Sequence, residues 1–351
     1  MTRTAVVLFN LGGPDRPESV RPFLFNLFSD PAILAIPGPL RRLLAWFLSV
    51  RRAPVAREIY SHLGGGSPLL ANTNAQAARL AEALGGEEAG FRVFIAMRYW
   101  HPRSDETAAA VKAFDPDTIV LLPLYPQFST TTSASSLADW HRAAAAAGLD
   151  APTKALCCYP TAPGLVEAMA KRVQEGLAAV SGAGDGQPRV LFSAHGLPKR
   201  VVARGDPYQW QVERTAAAVV ERLAKPGLDW VVCYQSRVGP LEWIGPATDE
   251  EIARAGDDAV PVVLAPVAFV SEHSETLVEL DIEYRRLAEK AGVPTYVRVA
   301  TVSTAGPFIE ALAGHVRGVV EGEGAVAHGR GERTCPVPFG RCPLRPAPGA
   351  G

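Results

Sequence analysis

The sequence lacks a charge imbalance and lacks nucleotide-binding motifs. Its 351 residues carry 35 Lys and Arg against 36 Asp and Glu, a formal net charge of −1 at pH 7. A chain with this balance and no basic cluster is not expected to bind nucleic acid. The glycine clusters Asn10–Gly13 and Gly64–Ser67 do not match G-x-G-x-x-G, and the pattern G-x-x-x-x-G-K-[ST] is absent. These glycines therefore favour tight turns over a phosphate-binding loop.

Neither an export signal nor a membrane span is expected from the sequence. The apolar run Ala5–Leu11 is too short for the hydrophobic part of a signal peptide and predicts a buried strand. The longest apolar region, Ile33–Val50, contains two prolines and two arginines and is too interrupted to span a membrane. We therefore expect a cytoplasmic protein in which the five cysteines stay reduced.

Part of that apolar region is suited to a membrane surface. Arg41-Arg42 and Arg51-Arg52 flank a stretch rich in large apolar side chains, a pattern typical of an interfacial helix. A helix packed on the core with cationic ends is the alternative. The apolar side chains are Leu43, Leu44, Trp46, Phe47, Leu48 and Val50.

Continuous apolar runs alternate with helix-length segments along the chain. Such runs indicate parallel strands that are covered on both faces, and 48% hydrophobic residues suffice for one large core or two ordinary ones. Eight strands in two sets of four predict an α/β fold with two doubly wound, Rossmann-like domains, each with a four-stranded parallel sheet flanked by helices. The predicted strands are Ala5–Leu11, Arg92–Met97, Thr118–Pro123, Thr153–Cys157, Arg189–Ser193, Asp229–Cys233, Val260–Pro266 and Thr295–Val299.

An acidic segment follows the seventh of these strands. Ser271 is predicted to cap a helix, and Ser271–Tyr284 holds five acidic residues and no basic one. Four glutamates at spacings of three, four and four are expected on one helix face, headed by His273. This pattern favours a site for a divalent cation such as Fe²⁺ over a solvated helix face, because like charges at these spacings destabilise a helix. The four are Glu272, Glu275, Glu279 and Glu283.

His195, Gln235 and His273 each follow a predicted strand. In doubly wound folds ligands bind outside the carboxyl ends of the strands. These three residues therefore point to one cleft.

Several distinctive sequence blocks follow one another along roughly residues 4–315. They are Asn10–Pro14, Gly64–Pro68, Met97–Tyr99, Leu124–Gln127, SAHGLP at Ser193–Pro198, CYQSRVGPLEWIGP at Cys233–Pro246 and PVAFVSEHSETLVELDIEY at Pro266–Tyr284. In content and in order these blocks resemble those of the ferrochelatases, the terminal enzymes of haem synthesis.

The resemblance implies insertion of Fe²⁺, as substrate, into protoporphyrin IX with release of two protons. The macrocycle is distorted on binding, and remote binding energy supplies that strain. His195 is the expected proton acceptor, since an imidazole titrates near neutrality. Glu275 is the family's essential carboxylate. His273 is expected to orient it or pass the metal on, and Glu272, Glu279 and Glu283 to extend the metal path.

The resemblance also implies a porphyrin pocket and a domain organisation. The expected organisation is an N-terminal domain at 1–162 with a pocket lip at about 30–56, a second domain at 163–304, a helix at about 305–320 that returns to the first, and a Gly/Pro-rich tail at 321–351. The apolar lip is expected to make peripheral membrane contact. A homodimer is compatible with the sequence, which does not specify the oligomeric state, the iron donor or the haem acceptor. The expected substrate-binding residues are Leu11, Arg51, Arg52, Tyr60, Ser67, Arg98, Tyr99, Gln235, Ser236, Trp243 and Phe269.

Four cysteines predict a separate metal centre. The tail has seven Gly and five Pro in 31 residues, too little apolar material to pack unaided, yet it carries Cys335 and Cys342. With Cys157 and Cys158 these could hold a [2Fe–2S] cluster or a structural zinc, unless the thiols are unrelated. Resemblance to some bacterial ferrochelatases favours the cluster. Cys233, within a strand, is expected to be buried and not a ligand.

Two other functions remain open at the level of sequence. One is a chelatase for another tetrapyrrole, either coproporphyrin III or a cobalt-accepting sirohydrochlorin. The other is a haem or metal carrier without activity. The long lip at Asp30–Ala56 argues against the small cobalt chelatases, and the pair His195 and Glu275 argues against a carrier.

Overall fold

The computed structural model describes residues 2–181, 186–237, 239–322, 324–329 and 333–344. The chain divides into two compact units. The first consists of Met1–Cys158 with Leu312–His328, and the second of Tyr159–Ala311 with Gly329–Gly351. The tail predicted at 321–351 thus lies partly outside the described residues.

The first unit is built on a parallel sheet of β1 (Thr4–Asn10), β2 (Phe91–Met97), β3 (Thr118–Pro123), β4 (Thr153–Leu156) and β9 (Val326–Ala327). The order of the strands in the sheet is β2-β1-β3-β4-β9. Every residue of β1 is buried, since this strand lies inside the sheet with helices on both faces. Chain order reverses between β1 and β3, which makes their carboxyl ends a switch point. The helices are α1 (Val20–Phe28), α2 (Gly38–Ser61), α3 (Leu69–Leu84), α4 (Ser104–Phe114) and α5 (Ser133–Ala147), with 3₁₀ turns at Pro17–Ser19 and Glu87–Ala89.

The count of four strands is wrong for this sheet, because β9 adds a fifth. Val326 and Ala327 pair in parallel with Ala155 and Leu156. The backbone N–H of Cys157 also donates to the carbonyl of Ala327 at 2.8 Å. A two-residue strand leaves no readable periodicity, and its stability comes from backbone hydrogen bonds rather than apolar burial. Part of the glycine-rich tail is thereby ordered.

The second unit repeats the plan with β5 (Arg189–His195), β6 (Asp229–Gln235), β7 (Val262–Pro266) and β8 (Tyr296–Arg298). Their order in the sheet is β6-β5-β7-β8, again all parallel. The switch point lies between β5 and β7. The helices are α6 (Pro163–Ala179), α7 (Lys199–Ala203), α8 (Tyr208–Leu223), α9 (Thr248–Asp257), a π-helix at Glu275–Glu283 and α10 (Tyr284–Lys290). Helix α11 (Gly306–Glu321) begins in this unit and continues into the first.

The acidic segment differs from its prediction at its start and in its pitch. Ser274, not Ser271, precedes the first π-helical residue. The hydroxyl of Thr276 accepts the His273 N–H at 2.9 Å, which satisfies a donor that a capping side chain would otherwise take. A π-helix has i→i+5 hydrogen bonds, which spacings of three and four do not reveal.

Within the described part of the chain, no helix combines the length and the apolar character needed to cross a membrane.

Candidate active site

His195 and Gln235 close neighbouring strands of the second sheet. They are the last residues of β5 and β6 and pair in register. His195 Nδ1 lies 2.7 Å from the carbonyl oxygen of Gly196. A carbonyl only accepts, so Nδ1 carries the hydrogen and the lone pair of the neutral ring is on Nε2. The histidine therefore has a defined tautomer, with one nitrogen left to accept a proton.

A buried hydroxyl network fixes the side chain of Gln235. Ser193 Oγ donates to Gln235 Oε1 at 2.8 Å and lies 2.9 Å from Thr248 Oγ1. Gln235 is only 1% exposed, and its Nε2 is 3.3 Å from Glu279 Oε2. In this structure the Gln235 amide contacts the Glu279 carboxylate, and its expected role in substrate binding stays a prediction. Ser193 and Thr248 were not predicted, because buried hydroxyls leave no distinct pattern in sequence.

His273 lies between an aromatic ring and a carboxylate. Its ring centroid is 4.7 Å from that of Phe269. Nδ1 lies 3.1 Å from the carbonyl oxygen of Ser271, and Nε2 lies 3.8 Å from Glu275 Oε2. Burial alone would lower the pKa of His273, but the adjacent Glu275 carboxylate outweighs it and the pKa is raised. His273 therefore keeps its proton to a higher pH than a free imidazole does.

Glu275 is held ionised. Burial would raise its pKa, but the charges of His195 and His273 prevail and lower the pKa to about 2. Its Oε2 is buried and has no hydrogen-bond donor among the described residues. A buried carboxylate oxygen without a donor is a candidate ligand for a cation.

Glu279 has the opposite tendency. It accepts hydrogen bonds from Ser236 N at 2.9 Å, Ser236 Oγ at 2.6 Å and the hydroxyl of Tyr284 at 3.2 Å. Burial, together with the charge of Glu275, nevertheless raises its pKa. Two carboxyl groups with oppositely shifted pKa values are a common arrangement in acid–base sites.

Glu272 and Glu283 complete the predicted metal path, and their part in it stays a prediction. Glu272 precedes the helix, so the expectation of a helix face shared by all four is wrong for it. Its carboxylate is 2.7 Å from Arg298 Nη1 and accepts the Thr301 N–H at 2.9 Å. Glu283 is exposed at the end of the π-helix. Across the described ranges no group of three or more His, Cys, Asp or Glu side chains has the geometry to hold a metal ion.

Trp243 lies against the turn that carries His195. Its backbone bridges to Pro198, and a Cβ added to Gly196 would come within 3.2 Å of Trp243 Cε3. A side chain at this position would also lie 3.0 Å from the Gln235 carbonyl oxygen, so the carbonyl or the indole would have to shift by a few tenths of an ångström. Trp243 Nε1 is buried and has no acceptor among the described residues.

In the first unit, three predicted substrate residues lie around one glycine turn. A Cβ added to Gly13 would come within 2.5 Å of Ser67 Cβ and 3.9 Å of the Tyr60 hydroxyl. Leu11 packs on the cluster that contains Tyr60 and Tyr99.

Arg98 and Tyr99 bind a carboxylate that was not predicted as part of the site. Arg98 Nη2 and the Tyr99 hydroxyl each donate to Asp30 Oδ2 at 2.8 Å, and Ser135 Oγ donates to the same oxygen. Tyr99 has no exposed surface. In this structure its hydroxyl shares Asp30 with Arg98, and its expected role in substrate binding stays a prediction. A lone aspartate at the start of the lip segment was the only sequence signal for this anchor.

Helix α2 exposes apolar side chains next to arginines. Leu43 is 65% exposed and Trp46 52% exposed, while the buried side of the helix consists mainly of small residues. Arg51 and Arg52 are exposed and have no ion-pair partner in the part of the chain that the structure describes. The other exposed apolar residues of α2 are Leu40, Phe47, Val50 and Val55.

The cysteines form two close pairs, one in each unit. The sulfurs of Cys157 and Cys158 are 3.1 Å apart. A hydrogen bond from Cys335 lowers the pKa of the Cys342 thiol to about 6, and Gln211 Nε2 donates to Cys335 Sγ at 3.1 Å. Cys233 is fully buried, as expected, and burial raises its pKa to about 12.

Comparison with known proteins agrees with this architecture. A solved structure of SirB from Bacillus subtilis with Fe³⁺ aligns with a TM-score of 0.52 at 12% identity, over 92% of this chain and 96% of SirB. At that identity the likeness concerns the fold alone.

Sequence relatives are much closer. Ferrochelatases of Caulobacter vibrioides and Phenylobacterium zucineum are 53% and 51% identical, each over 98% of this chain and 98% of the relative. The ferrochelatase of a Wolbachia species from Drosophila simulans is 49% identical over 89% of this chain and 98% of its own length. The family model for ferrochelatase matches residues 3–319. This chain therefore belongs to the ferrochelatase family, the enzymes that insert Fe²⁺ into a porphyrin.

Proposed function

We propose that this chain inserts Fe²⁺ into protoporphyrin IX at the carboxyl ends of β5, β6 and β7. The observation that carries the proposal is the buried pair Glu275 and Glu279: Glu275 Oε2 lies 3.8 Å from His273 Nε2 and has no hydrogen-bond donor among the described residues, while Glu279 is held by Ser236. Their pKa values are shifted in opposite directions. Metal insertion needs both a cation-binding anion and acceptors for two protons. Glu275 is assigned the first role, and His195 and Glu279 the second.

His195 Nε2 accepts a proton from a pyrrole nitrogen. The electron pair of the broken N–H bond stays on the nitrogen and binds the iron. Glu275, too acidic to keep a proton at neutral pH, stabilises the imidazolium and offers Oε2 to the cation. Glu279, with its raised pKa, takes part in removing the second proton. His273 orients Glu275.

Porphyrin binding is assigned to apolar and cationic side chains. Trp243 and Phe269 form walls beside the two histidines, and Leu11, Tyr60 and Ser67 are proposed as contacts from the first unit. Arg51 and Arg52 bind propionates. Pressing a flat macrocycle against fixed walls distorts it and exposes the nitrogen lone pairs, a strain on the order of 1–5 kcal/mol that binding of the rest of the ring supplies.

Protoporphyrin IX is favoured over coproporphyrin III by the exposed apolar face of α2, which includes Trp46 and Phe47. The test is anaerobic competition with Fe²⁺ and equal amounts of both porphyrins, with products identified by mass. Protohaem as the main product supports the proposal. Coprohaem as the main product would show that coproporphyrin III is the substrate, with the same metal-insertion chemistry. If folded protein forms no product, a haem or metal carrier becomes the better explanation.

The same face of α2 is proposed to contact a membrane peripherally. Arginines at both ends of the apolar stretch suit an anionic surface. We expect the protein to float with vesicles that contain anionic phospholipid, and a variant with Trp46→Ser and Phe47→Ser to stay at the bottom of the gradient. Equal flotation of the two proteins would contradict this contact.

Cys157, Cys158, Cys335 and Cys342 are proposed as the residues that would hold a [2Fe–2S] cluster. Close sulfurs, a thiol that ionises easily and an N–H···S hydrogen bond all fit thiolate ligands. When bound, the cluster would tie the tail to the folded chain. Cys335→Ser should bleach the brown colour of protein purified anaerobically with iron supplied. A colourless wild-type protein would indicate zinc or free thiols.

A further inference from the structure

Arg298 is a buried cation that contacts the acidic segment of the site. It is the last residue of β8, and its side chain is 8% exposed. Nη1 donates to Glu272 Oε1 at 2.7 Å, and Nη2 donates to Asp281 Oδ2 at 2.9 Å. One guanidinium thus binds two carboxylates that lie nine positions apart in sequence.

The two contacts lie on either side of the reacting groups. Glu272 precedes the π-helix and Asp281 lies within it, so His273, Glu275 and Glu279 all fall between them. The residues after β8 strengthen the first contact. Thr301 N donates to Glu272 Oε1 at 2.9 Å, and Ser303 N donates to Val270 O at 3.0 Å.

The charges stabilise both contacts of Arg298. Burial would raise the pKa of Asp281, but Arg285 and Arg298 lower it, so the carboxylate stays ionised. The planar fork of an arginine holds two acceptors at a fixed separation, which the point charge of a lysine cannot do. A π-helix is rare and less favourable than an α-helix. An arginine that binds one residue before the π-helix and one residue within it therefore helps to stabilise it.

We infer that Arg298 is a positioning residue for metal insertion, because it holds the segment between Glu272 and Asp281 so that His273, Glu275 and Glu279 keep their places. This inference rests on the proposed function of those three side chains. Arg298 itself touches neither substrate nor metal. It acts through the helix.

The test compares Arg298→Met and Arg298→Lys with wild type and with Arg285→Met. Arg285 is the matched control, because it binds Asp281 at 2.7 Å and the Tyr296 carbonyl at 2.9 Å but not Glu272. Kinetics are measured anaerobically with Fe²⁺ and porphyrin varied separately, and porphyrin affinity by fluorescence quenching. Arg298→Met is expected to lower kcat/KM for Fe²⁺ by about 100-fold, the order of loss when reacting groups shift by about 1 Å. Porphyrin affinity should change less than twofold.

Arg298→Lys keeps one contact and should fall between wild type and Arg298→Met. Arg285→Met should stay within about threefold of wild type in kcat/KM. Amide hydrogen exchange of residues 273–284 gives a readout without turnover, and it should accelerate in Arg298→Met more than in Arg285→Met.

A triple variant separates positioning from buried charge. Glu272→Gln, Asp281→Asn and Arg298→Met together leave no buried ion unpaired, since only Arg285, whose side chain is 43% exposed, loses its carboxylate partner. Thermal stability should therefore return towards wild type while kcat/KM for Fe²⁺ stays low. If kcat/KM recovers with stability, the role of Arg298 is structural only and the inference fails. It also fails if Arg298→Met matches Arg285→Met in both kinetics and exchange. Wild-type protein that metallates no porphyrin would instead overturn the proposed function, which the same assay reveals.

Discussion

Glu279 accepts hydrogen bonds from both the backbone N–H and the hydroxyl of Ser236, a residue whose φ is +58°. A left-handed conformation is costly for a residue with a side chain, and it persists where the surroundings fix it. Here the carboxylate of Glu279, which is proposed to take part in removing the second proton, fixes the conformation of Ser236.

Substitutions at Ser236 should separate the strain from the hydrogen bond. Ser236→Ala loses a hydrogen bond to a carboxylate and keeps the strain, and is expected to destabilise by about 1.5–3 kcal/mol. Ser236→Gly loses the same bond but relieves the strain, and should be more stable than Ser236→Ala by about 1 kcal/mol. Urea unfolding midpoints measure the difference. Equal midpoints for Ala and Gly would argue against strain at this position.

His195→Ala should abolish most turnover while porphyrin still binds. Loss of a positioned acid–base group lowers kcat by about 10²- to 10⁴-fold. Steady-state kinetics with Fe²⁺ and a fluorescence titration with porphyrin test the two halves of the statement. His62→Ala, at an exposed histidine of the first unit, is the control and should behave as wild type. Activity within twofold of wild type in His195→Ala would remove this residue from the mechanism.

His315 in α11 is expected to make the protein acid-sensitive. Burial lowers the pKa of this histidine in the folded chain below its ordinary value of 6.5. The unfolded chain therefore binds the proton more readily, and stability falls as the pH drops from about 6.5 towards the folded pKa. The measurement is the difference in unfolding midpoint between wild type and His315→Gln across this range. The unfolding midpoint of the wild type should fall relative to that of His315→Gln as the pH drops. A difference between the two midpoints that does not depend on pH would show that His315 does not titrate differently on folding.

Two helical glycines should respond in opposite directions to alanine. A Cβ at Gly164 would lie 2.0 Å from the carbonyl oxygen of Pro307, whereas a Cβ at Gly314 would meet nothing within 4 Å. Gly164→Ala should lower the melting temperature because backbone must move. Gly314→Ala should raise stability by up to about 1 kcal/mol through helix propensity. Calorimetry on both variants decides, and a stabilising Gly164→Ala would show that the α6–α11 contact is looser than the structure indicates.

Most of the fold follows from one property of the sequence. Strands covered on both faces must be apolar throughout, so all eight predicted runs are strands in the structure. Strand β9 was not predicted because its two residues form a strand only through backbone pairing, which leaves no pattern in the sequence. The π-helix was not predicted because its acidic residues follow an α-helical spacing, which does not reveal i→i+5 hydrogen bonds.

The candidate site was likewise predicted only in part. His195 and Gln235 lie at strand ends as predicted, because the carboxyl ends of parallel strands meet at one edge. Their roles stay predictions. The partner of Glu272 could not be predicted, since Arg298 is 26 positions away and a lone arginine in an apolar strand does not specify its acceptor.

Strand β9 has a consequence for biosynthesis. The edge of β4 lacks its neighbour until the ribosome has delivered Val326 and Ala327, long after Leu156 has emerged. At translation rates of about 5–20 residues per second the delay is on the order of ten seconds. During that interval an unpaired strand edge is open to other chains, a known route to aggregation. Nascent chains that stall before Val326 should therefore depend most on chaperones.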